Sequence, residues 1–316
     1  MKLKAISLFA GVGGICLGFK HNGVDIVYAN DFDKYACQTY RTNFSHLLVE
    51  EDITKIIPNT IPDADLLLGG SPCQAFSIAG YRKGFNDDRG SLFFEYLRIL
   101  VEKQPRAFFF ENVKNLVSHD DGKTFKIMLE AFKENGYHVK FKILNACEYG
   151  NVPQNRERIY VVGFKDKKLS DEFEFPNKIF LTKKIEDVLD SDKKDNKYYY
   201  MKNKHYNGML KPVIVKKNTI YQLRRIYVRE NKTNLCPTLT ANMGTGGHNV
   251  PLILDNYGIR KLTPRECFRF QGFPEDYILP NISDCHLYKQ AGNSVCVPVV
   301  ERIAKNIVEL LKKNDG

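Results

Sequence analysis

Short apolar runs alternate with amphipathic stretches through the first half of the chain. The runs that predict strands are KAISLF, DIVYAND, ADLLLGG, PRAFFFEN, YHVKFKILNA and RIYVVGF. Helices are predicted for GGICLGFKHNG, ending at Gly23, for DKYACQTYRTNF, and near Arg89–Lys103 and Lys123–Asn135. Because strands that alternate with helices form parallel sheets, the pattern predicts an α/β fold with a doubly wound, mostly parallel sheet.

The regular alternation stops after Phe164. Residues 165–211 are rich in Lys, Asp and Asn and have no clean periodicity. From Gly258 the pattern tightens again, and the chain finishes with an amphipathic helix that follows Gly292-Asn293-Ser294. We expect this last helix to return to the sheet, with a smaller domain inserted before it.

Charge adds a second feature to this picture. The chain has 316 residues, of which 43% are hydrophobic and 27% charged, and a net charge of +10. Residues 196–255 hold ten Lys and Arg but only two acids, Glu230 and Asp255. Positive charge that is concentrated in one region favours nucleic-acid binding. The tyrosines among these basic residues either stack on bases or fill the core of strands.

Cysteine spacing and hydropathy exclude several classes. No two of the eight cysteines form a C-x-x-C pair, and none has a nearby His at zinc-site spacing. Disulfide and zinc frameworks are therefore not expected. No apolar run approaches the roughly 20 residues that span a bilayer. The start, MKLKAISLFAGVGG, does not have the form of a signal peptide, so an intracellular protein is expected.

A glycine turn follows the first predicted strand, in SLFAGVGGICLGF. Gly11, Gly13 and Gly14 would let the backbone approach a ligand beside a helix N-terminus. Asp31 ends the second strand, 20 residues after Gly11, where it could accept a ribose hydroxyl. Asp52, in EDIT, could reach an adenine amino group. Taken alone, this pattern also suits a turn that only packs a strand on a helix.

Candidate catalytic groups lie next to three other predicted strands. Cys73 comes just after the apolar run and the two glycines of LLLGGSPC, where a thiolate could act as a nucleophile. Glu111 comes after FFF, and a carboxyl group against apolar surface has a raised pKa and can donate a proton. Arg156 and Arg158 alternate at period two before a strand and should point the same way, which suits binding of a carbonyl and an anion.

Eight motifs, in this order, resemble those of the bacterial cytosine-5 DNA methyltransferases of restriction–modification systems. They are FAGVGG, the pair Asn30-Asp31, DIT, GGSPCQAFS, ENV, QNRER, RKLTPRECFRFQGFP and GNSV. The resemblance covers nearly the whole chain except residues 165–257. Small departures are Ser7 for a frequent Asp, Asp31 for a frequent Glu, and Ala79 for a Ser in some relatives.

This resemblance implies a Rossmann-like, class I S-adenosylmethionine-dependent methyltransferase with duplex DNA as substrate and no metal. A catalytic domain is expected at residues 1–181 and 293–316, a target-recognition domain at 182–264, and a hinge at 265–292. DNA is expected in the cleft between the domains. The protein would be a cytoplasmic bacterial monomer, with a restriction endonuclease as a separate partner.

The resemblance also implies a mechanism. A cytosine is flipped out of the duplex, and the Cys73 thiolate attacks its C6. Protonated Glu111 hydrogen-bonds N3, Arg158 holds the carbonyl at position 2, and Arg156 supports the same site. The activated C5 then takes the methyl group, a base removes the C5 proton, and the thiolate leaves.

Two further sets of residues follow from the same resemblance. Cofactor contacts are expected at Phe9, Gly11, Gly13, Asp31, Phe32, Asp52, Ile53, Pro72, Leu92 and Asn293. DNA contacts are expected at Gln74, Ser77, Arg89, Thr238, Leu239, Asn242, His248 and Asn249. The segment 74–89 would close over the DNA.

Three alternatives stay open at this point. A tRNA cytosine-5 methyltransferase would share the core but would show little turnover on DNA. An inactive DNA-binding regulator would be expected to lack catalytic groups, and all four are present here. A dinucleotide-dependent thiol oxidoreductase should have a second, paired cysteine.

Overall fold

The chain forms two compact units. A computed structural model describes residues 2–71, 92–200, 208–224, 226–245 and 249–314. The first unit comprises Met1–Leu144, Glu157–Asn177 and Val299–Gly316, and the second comprises Asn145–Arg156 and Lys178–Pro298. The domain boundaries expected from the sequence stay predictions.

A seven-stranded sheet forms the first unit. Its strands are β1 (Lys4–Leu8), β2 (Asp25–Asp31), β3 (Leu48–Glu50), β4 (Leu66–Gly69), β5 (Ala107–Val113), β6 (His138–Asn145) and β7 (Glu157–Phe164), in the order β3-β2-β1-β4-β5-β7-β6. Neighbours from β3 to β5 pair in parallel, whereas β7 is antiparallel to β5. The prediction of a doubly wound, mostly parallel sheet is confirmed.

Helices cover both faces of this sheet. They are α1 (Gly14–Lys20), α2 (Lys34–Asn43), α3 (Leu92–Lys103), α4 (Lys123–Glu134) and α6 (Lys167–Glu172); the short α5 (Ala146–Tyr149) belongs to the second unit. Phe108 and Phe110 of β5 lie in one buried cluster with Phe93 of α3 and Phe132 of α4. On the other face, Phe19 of α1 packs against Phe109, with ring centroids 5.4 Å apart.

The C-terminal helix α9 (Val297–Lys313) returns to the sheet, as the sequence predicts. A Cβ on Gly18 of α1 would lie 2.8 Å from the Val300 side chain, so only a glycine permits this approach. Asn22 donates to the Glu301 carbonyl oxygen at 2.9 Å, and Arg106 donates to that of Leu311 at 3.2 Å. These contacts hold α9 against α1 and the seven-stranded sheet, so the first and last helices of the chain share one core.

All six predicted strands are observed, and the short β3 is an addition. The helix expected to reach Gly23 ends at Lys20, and Gly23 adopts a left-handed φ of 78° in the following turn. The helices expected near Arg89–Lys103 and Lys123–Asn135 are observed as α3 and α4. Residues 89–91, where the first of them was expected to begin, lie outside the described residues. Three-residue strands such as β3 are too short to produce a visible period.

The second unit holds a small antiparallel sheet. Its strands are β8 (Tyr221–Leu223), β9 (Val228–Glu230), β10 (Leu252–Leu254) and β11 (Ile259–Lys261), in the order β11-β10-β8-β9. Helices α7 (Pro264–Arg269) and α8 (Asp284–Asn293) follow. Tyr221 is fully buried in the core of this sheet, whereas Tyr227 is 53% exposed. Strand packing therefore accounts for Tyr221, whereas Tyr227 lies at the surface.

In the described parts of the chain, no helix has both the length and the apolar character that crossing a bilayer requires.

Candidate active site and cofactor site

The sheet order marks the place where a ligand site is expected. From β1 the chain winds outward through β2 and β3, then returns to add β4 on the other side of β1. In doubly wound sheets, ligands bind at the carboxyl ends of the strands beside such a switch point. Asp31 ends β2, and Glu111 lies near the carboxyl end of β5.

A buried carboxylate organises the turn after β1. The Gly11 amide donates to Asp31 Oδ2 at 2.7 Å, and the Asp33 amide donates to Oδ1 at 2.8 Å. Burial raises the pKa of the Asp31 carboxyl group, while these backbone amides oppose the shift. Each oxygen keeps lone pairs for a further donor. This geometry suits a ligand hydroxyl group at the end of β2.

The glycine turn has an open side and a packed side. At Gly11, with φ +54°, no atom lies within 4 Å of the position that a Cβ would take. At Gly13, with φ +79°, a Cβ would lie 2.3 Å from the Phe44 ring. Phe9 also has a left-handed φ of 53°, a strained backbone conformation that often marks a functional site. Gly11 therefore faces space that a ligand can fill, and Gly13 fixes the turn.

Other expected cofactor residues lie at neighbouring strand ends. Phe32 follows β2 and is 67% exposed, which leaves its ring available to a planar ligand. Asp52 caps a short 3₁₀ turn by accepting from the Thr54 amide at 3.0 Å, and this hydrogen bond lowers the pKa of its carboxyl group. Ile53 and Leu92 pack into or against one apolar cluster. These residues fit a nucleoside that has hydroxyl and amino groups.

Glu111 and Arg158 form a close pair at the end of β5. Arg158 lies opposite Val113 in the antiparallel ladder, so it is a diagonal neighbour of Glu111 on the same sheet face. Arg158 Nε lies 3.2 Å from Glu111 Oε1, and each side chain is 13% exposed. The carboxyl group therefore has a cation beside it in addition to the expected apolar surroundings. The pair presents an acid and a guanidinium together.

Asn112 holds the backbone that leads to Cys73. Its amide Nδ2 donates to the Ser71 carbonyl oxygen at 2.9 Å, and its Oδ1 accepts from the Val113 amide at 2.8 Å. A Cβ on Gly70 would lie 2.8 Å from the Glu111 carbonyl oxygen, so the backbones of these strand ends are in direct contact. Gly70 and Ser71, the last described residues before the predicted nucleophile, are thereby held beside Glu111 and Asn112.

Arg156 has different partners from Arg158. It is 2% exposed, and its guanidinium donates to the carbonyl oxygens of Leu239 at 2.9 Å, Gly292 at 3.0 Å and Ser294. Period-two spacing suggests one shared target for the two arginines. The observed partners are instead main-chain carbonyls for Arg156 and the Glu111 carboxyl group for Arg158.

The expected catalytic residue Cys73, the expected cofactor residues Pro72 and Asn293 and the expected DNA contacts are only partly described by the structure. Cys73, Pro72, Gln74, Ser77, Arg89 and His248 lie outside the described residues. Thr238 donates to the Asn155 carbonyl oxygen at 2.6 Å, and the side chain of Leu239 is only 1% exposed. Asn242, Asn249 and the predicted cofactor residue Asn293 are exposed. All these expected roles stay predictions.

The sequence-based expectations omitted a basic hairpin. Strands β8 and β9 pair Gln222 with Arg229, and the Arg224 amide donates to the Tyr227 carbonyl oxygen at 2.8 Å to close the turn. Arg224, Tyr227 and Arg229 thus share the sheet face opposite the buried Leu223. The alternation of polar and apolar residues in YQLRRIYVRE was the available indication. This face suits contact with a polyanion.

No group of three or more His, Cys, Asp or Glu side chains within the described ranges is arranged to hold a metal ion.

Comparisons with known proteins agree on one family. The sequence model of the C-5 cytosine-specific DNA methylases matches residues 3–309. Type II methyltransferase M.Bsp6I of Bacillus sp. (strain RFL6) is 57% identical, covering 96% of this chain and 98% of that protein. Type II methyltransferase M.HhaI of Haemophilus parahaemolyticus is 41% identical, covering 96% and 94%.

Solved structures agree with the fold. A triple mutant of DNMT2 from Spodoptera frugiperda superposes with a TM-score of 0.73 at 22% identity, covering 98% of this chain and 99% of that one. The Dnmt2 methyltransferase of S. pombe gives 0.72 at 20% identity, with all of both chains covered. At these identities the likeness concerns the fold alone.

Proposed function

The chain belongs to the C-5 cytosine-specific DNA methylase family, and from this premise we propose how its own residues carry out the reaction. The protein is a DNA (cytosine-5-)-methyltransferase of the restriction–modification type. The observation that carries the residue-level proposal is the Glu111–Arg158 pair beside the backbone of Gly70 and Ser71, from which Cys73 is only two residues away.

The proposed cofactor is S-adenosylmethionine, held at the ends of β1, β2 and β3. Asp31 would accept hydrogen bonds from the ribose hydroxyls, Asp52 would accept one from the adenine amino group, and Phe32 would pack against the adenine. The open space beside Gly11 supports this assignment, because a side chain there would fill it. When bound there, S-adenosylmethionine supplies an electrophilic methyl group. Pro72, Leu92 and Asn293 are proposed to complete the contacts.

The proposed role of the catalytic residues is to make a poor carbon nucleophile reactive. Neutral cytosine attacks weakly through C5, and addition of the Cys73 thiolate to C6 creates an enamine whose electron density lies at C5. Glu111 donates a hydrogen bond at N3, and Arg158 binds the oxygen at position 2. Negative charge that develops on the ring is thereby stabilised at two atoms.

The final steps restore the aromatic ring. A base removes the proton from C5 after methyl transfer, the electron pair of the C5–H bond forms the C5–C6 double bond, and the thiolate leaves C6. The sulfur thus returns to its starting state. The family match favours this reaction on DNA over the tRNA and inactive-regulator alternatives.

Contacts with the duplex are proposed for two regions. The residues expected from the sequence are Gln74, Ser77, Arg89, Thr238, Leu239, Asn242, His248 and Asn249. Arg224, Tyr227 and Arg229 of the β8–β9 hairpin are added because their common face is basic and aromatic. Arginines on such a face would bind phosphates, and the tyrosine would lie against sugar or base.

Biological context follows from the substrate. We propose that the protein acts as a monomer on chromosomal DNA in a bacterial cytoplasm. A restriction endonuclease that cleaves the same unmodified sequence would act separately. Neither feature is needed for the chemistry itself.

Methyl transfer to nucleic acid tests this function. The protein is incubated with labelled S-adenosylmethionine and either mixed-sequence duplex DNA or tRNA, and the product is mapped at base resolution. We expect label at cytosine C5 within one short DNA motif and none in tRNA. Label in tRNA alone, or no label on DNA from protein that binds the cofactor, would overturn the proposal.

A further inference from the structure

One buried guanidinium joins two segments of the second unit for which different ligands are proposed. Arg156 Nη1 donates to the Leu239 carbonyl oxygen at 2.9 Å, in the Thr238-Leu239 pair proposed to contact DNA. Arg156 Nη2 donates to the carbonyl oxygens of Gly292, at 3.0 Å, and Ser294. These two residues flank Asn293, which is proposed to contact the cofactor. The guanidinium therefore holds the backbone of both segments.

The same two segments also touch directly. A Cβ on Gly292 would lie 2.2 Å from the carbonyl carbon of Thr240, so the end of α8 packs against the backbone that follows Leu239. No side chain could be accommodated there without a shift of one backbone. A movement of either segment would therefore displace the other, because the two backbones pack together and both accept hydrogen bonds from the Arg156 guanidinium.

A separate set of bonds keeps Arg156 and its neighbours in place. Gln154 is fully buried, its Oε1 accepts from the Leu239 amide at 3.2 Å, and its Nε2 donates to the Phe270 carbonyl oxygen. The Asn155 amide donates to the Cys236 carbonyl oxygen at 2.8 Å. Two of these three bonds hold residues 154–155 to residues 236–239, so Arg156 and that segment are held together, and the guanidinium extends the connection to Gly292 and Ser294.

We infer that Arg156 is a positioning residue that couples cofactor binding to DNA binding. The inference rests on the proposed cofactor contact of Asn293 and the proposed DNA contacts of Thr238 and Leu239. Arg156 would act on these residues by holding the main chain of both segments. Coupling between sites is reciprocal, so a cofactor that orders Asn293 should favour the DNA-binding arrangement of residues 238–239, and DNA should favour cofactor binding equally. A lysine, with one compact ammonium on a flexible stem, cannot reproduce the planar fork.

The test measures binding rather than turnover. Affinity for a duplex that carries the mapped methylation site is measured with and without S-adenosylhomocysteine, for the parent protein, R156K and R260K. Arg260 is a matched control because it is fully buried in the same unit but bonds to Asp255 and Glu266. We expect the cofactor product to tighten DNA binding about 5- to 20-fold in the parent and in R260K. In R156K the factor should fall to about 2 or less.

Three results would overturn the inference. The first is that S-adenosylhomocysteine does not change the DNA affinity of the parent protein. The second is that it tightens DNA binding by R156K as much as it does for the parent. The third is an equal loss of this effect in R260K, because the cause would then be a general loosening of the unit. Methyl transfer by the parent protein is recorded separately. A parent that shows coupling without methyl transfer would refute the proposed function and leave the coupling role standing.

If R156K does not fold, a double-mutant cycle tests whether the segments of Thr238 and Asn293 are coupled. T238A and N293A change a partly exposed and an exposed side chain, so the fold should tolerate both. We expect their effects on the formation of the ternary complex with DNA and S-adenosylhomocysteine to be non-additive. Strict additivity would contradict the coupling.

Discussion

At the scale of single residues, two of the groups proposed for the chemistry lie together where β5 ends. Phe108, Phe109 and Phe110 are fully buried, and the next residue, Glu111, keeps only a small exposed fraction beside Arg158. A carboxyl group and a guanidinium in such a position can act on adjacent atoms of one planar ring. Glu111 was identifiable from the sequence as a carboxyl group that follows an apolar run. The partners of Arg156 were not, because they depend on residues up to 138 positions away.

Replacing the acid tests the role of Glu111. E111Q keeps the size of the side chain and a hydrogen-bond donor but removes the proton that the carboxyl group can give. We expect methyl transfer in a single turnover to slow by about 10²- to 10⁴-fold, with unchanged binding of S-adenosylhomocysteine. A variant that methylates DNA at the parental rate would contradict the assignment.

Asn112 provides a second test at this scale. N112D replaces the amide donor with an oxygen that faces the Ser71 carbonyl oxygen, so the backbone before Cys73 should shift. A misplacement of about 1 Å can cost roughly 10²-fold in rate. We expect kcat to fall by about this factor while the affinity for S-adenosylhomocysteine is retained. N115D, at an exposed neighbouring position, is the control, and an equal loss of kcat in both variants would argue against positioning by Asn112.

At the scale of elements, short strands and their connections distinguish the second unit from the first. Each strand of its sheet has three residues, and the polar face of the β8–β9 hairpin includes two described arginines. Strands this short leave only a brief alternation of polar and apolar residues, as in YQLRRIYVRE, and no strand was predicted there from the sequence. Their basic composition was nevertheless visible, and the nucleic-acid partner that it indicated agrees with the family match.

The hairpin should contribute to DNA affinity through phosphate contacts. Replacing Arg224 and Arg229 together with glutamine removes two positive charges from one face. We expect the slope of log K against log salt to become shallower by about 1 to 2 units, with little change in which sequence is bound. K305Q removes an exposed charge from α9 and should leave the slope unchanged. A double variant with the parental slope would exclude the hairpin from the DNA contact.

A buried ion pair stabilises the junction of β11 and α7. Glu266 is fully buried and accepts from Arg260 Nη1 and Nη2 at 2.7 Å each, from the Thr263 amide at 2.7 Å and from the Asp190 amide at 2.9 Å. E266Q leaves the guanidinium with one fewer carboxylate in a dry environment. We expect the free energy of unfolding to fall by about 3–5 kcal/mol in urea titrations.

A matched surface pair gives the control for this prediction. Glu275 also accepts from an arginine, Arg269, at 2.6 Å, but its side chain is 67% exposed. Solvent screens that pair, so E275Q should lower the free energy of unfolding by less than about 1 kcal/mol. Equal losses in the two variants would mean that burial of Glu266 does not set its contribution.

At the scale of the whole molecule, the fold class and the family were both accessible from the sequence. The alternation of apolar runs predicted the sheet, and eight motifs in order carried the resemblance that the family match confirms. Long-range hydrogen bonds to main-chain carbonyl groups could not be predicted, because every residue has such a carbonyl and the sequence does not show which one will accept. The Arg156 contacts and the Asn112–Ser71 bond belong to this class, and both depend on the finished fold.

The central claim is that the Cys73 thiolate adds to C6 of the target cytosine. The most direct measurement uses a duplex in which the mapped cytosine carries fluorine at C5. After methyl transfer, C5 of this base has no proton that a base can remove, so the thiolate cannot leave and the covalent adduct persists. With S-adenosylmethionine present, we expect a covalent protein–DNA complex whose digestion products show the nucleotide on Cys73. C73S should bind this DNA and form no complex. A crosslink at another residue, or C73S that methylates unmodified DNA at the parental rate, would contradict the account.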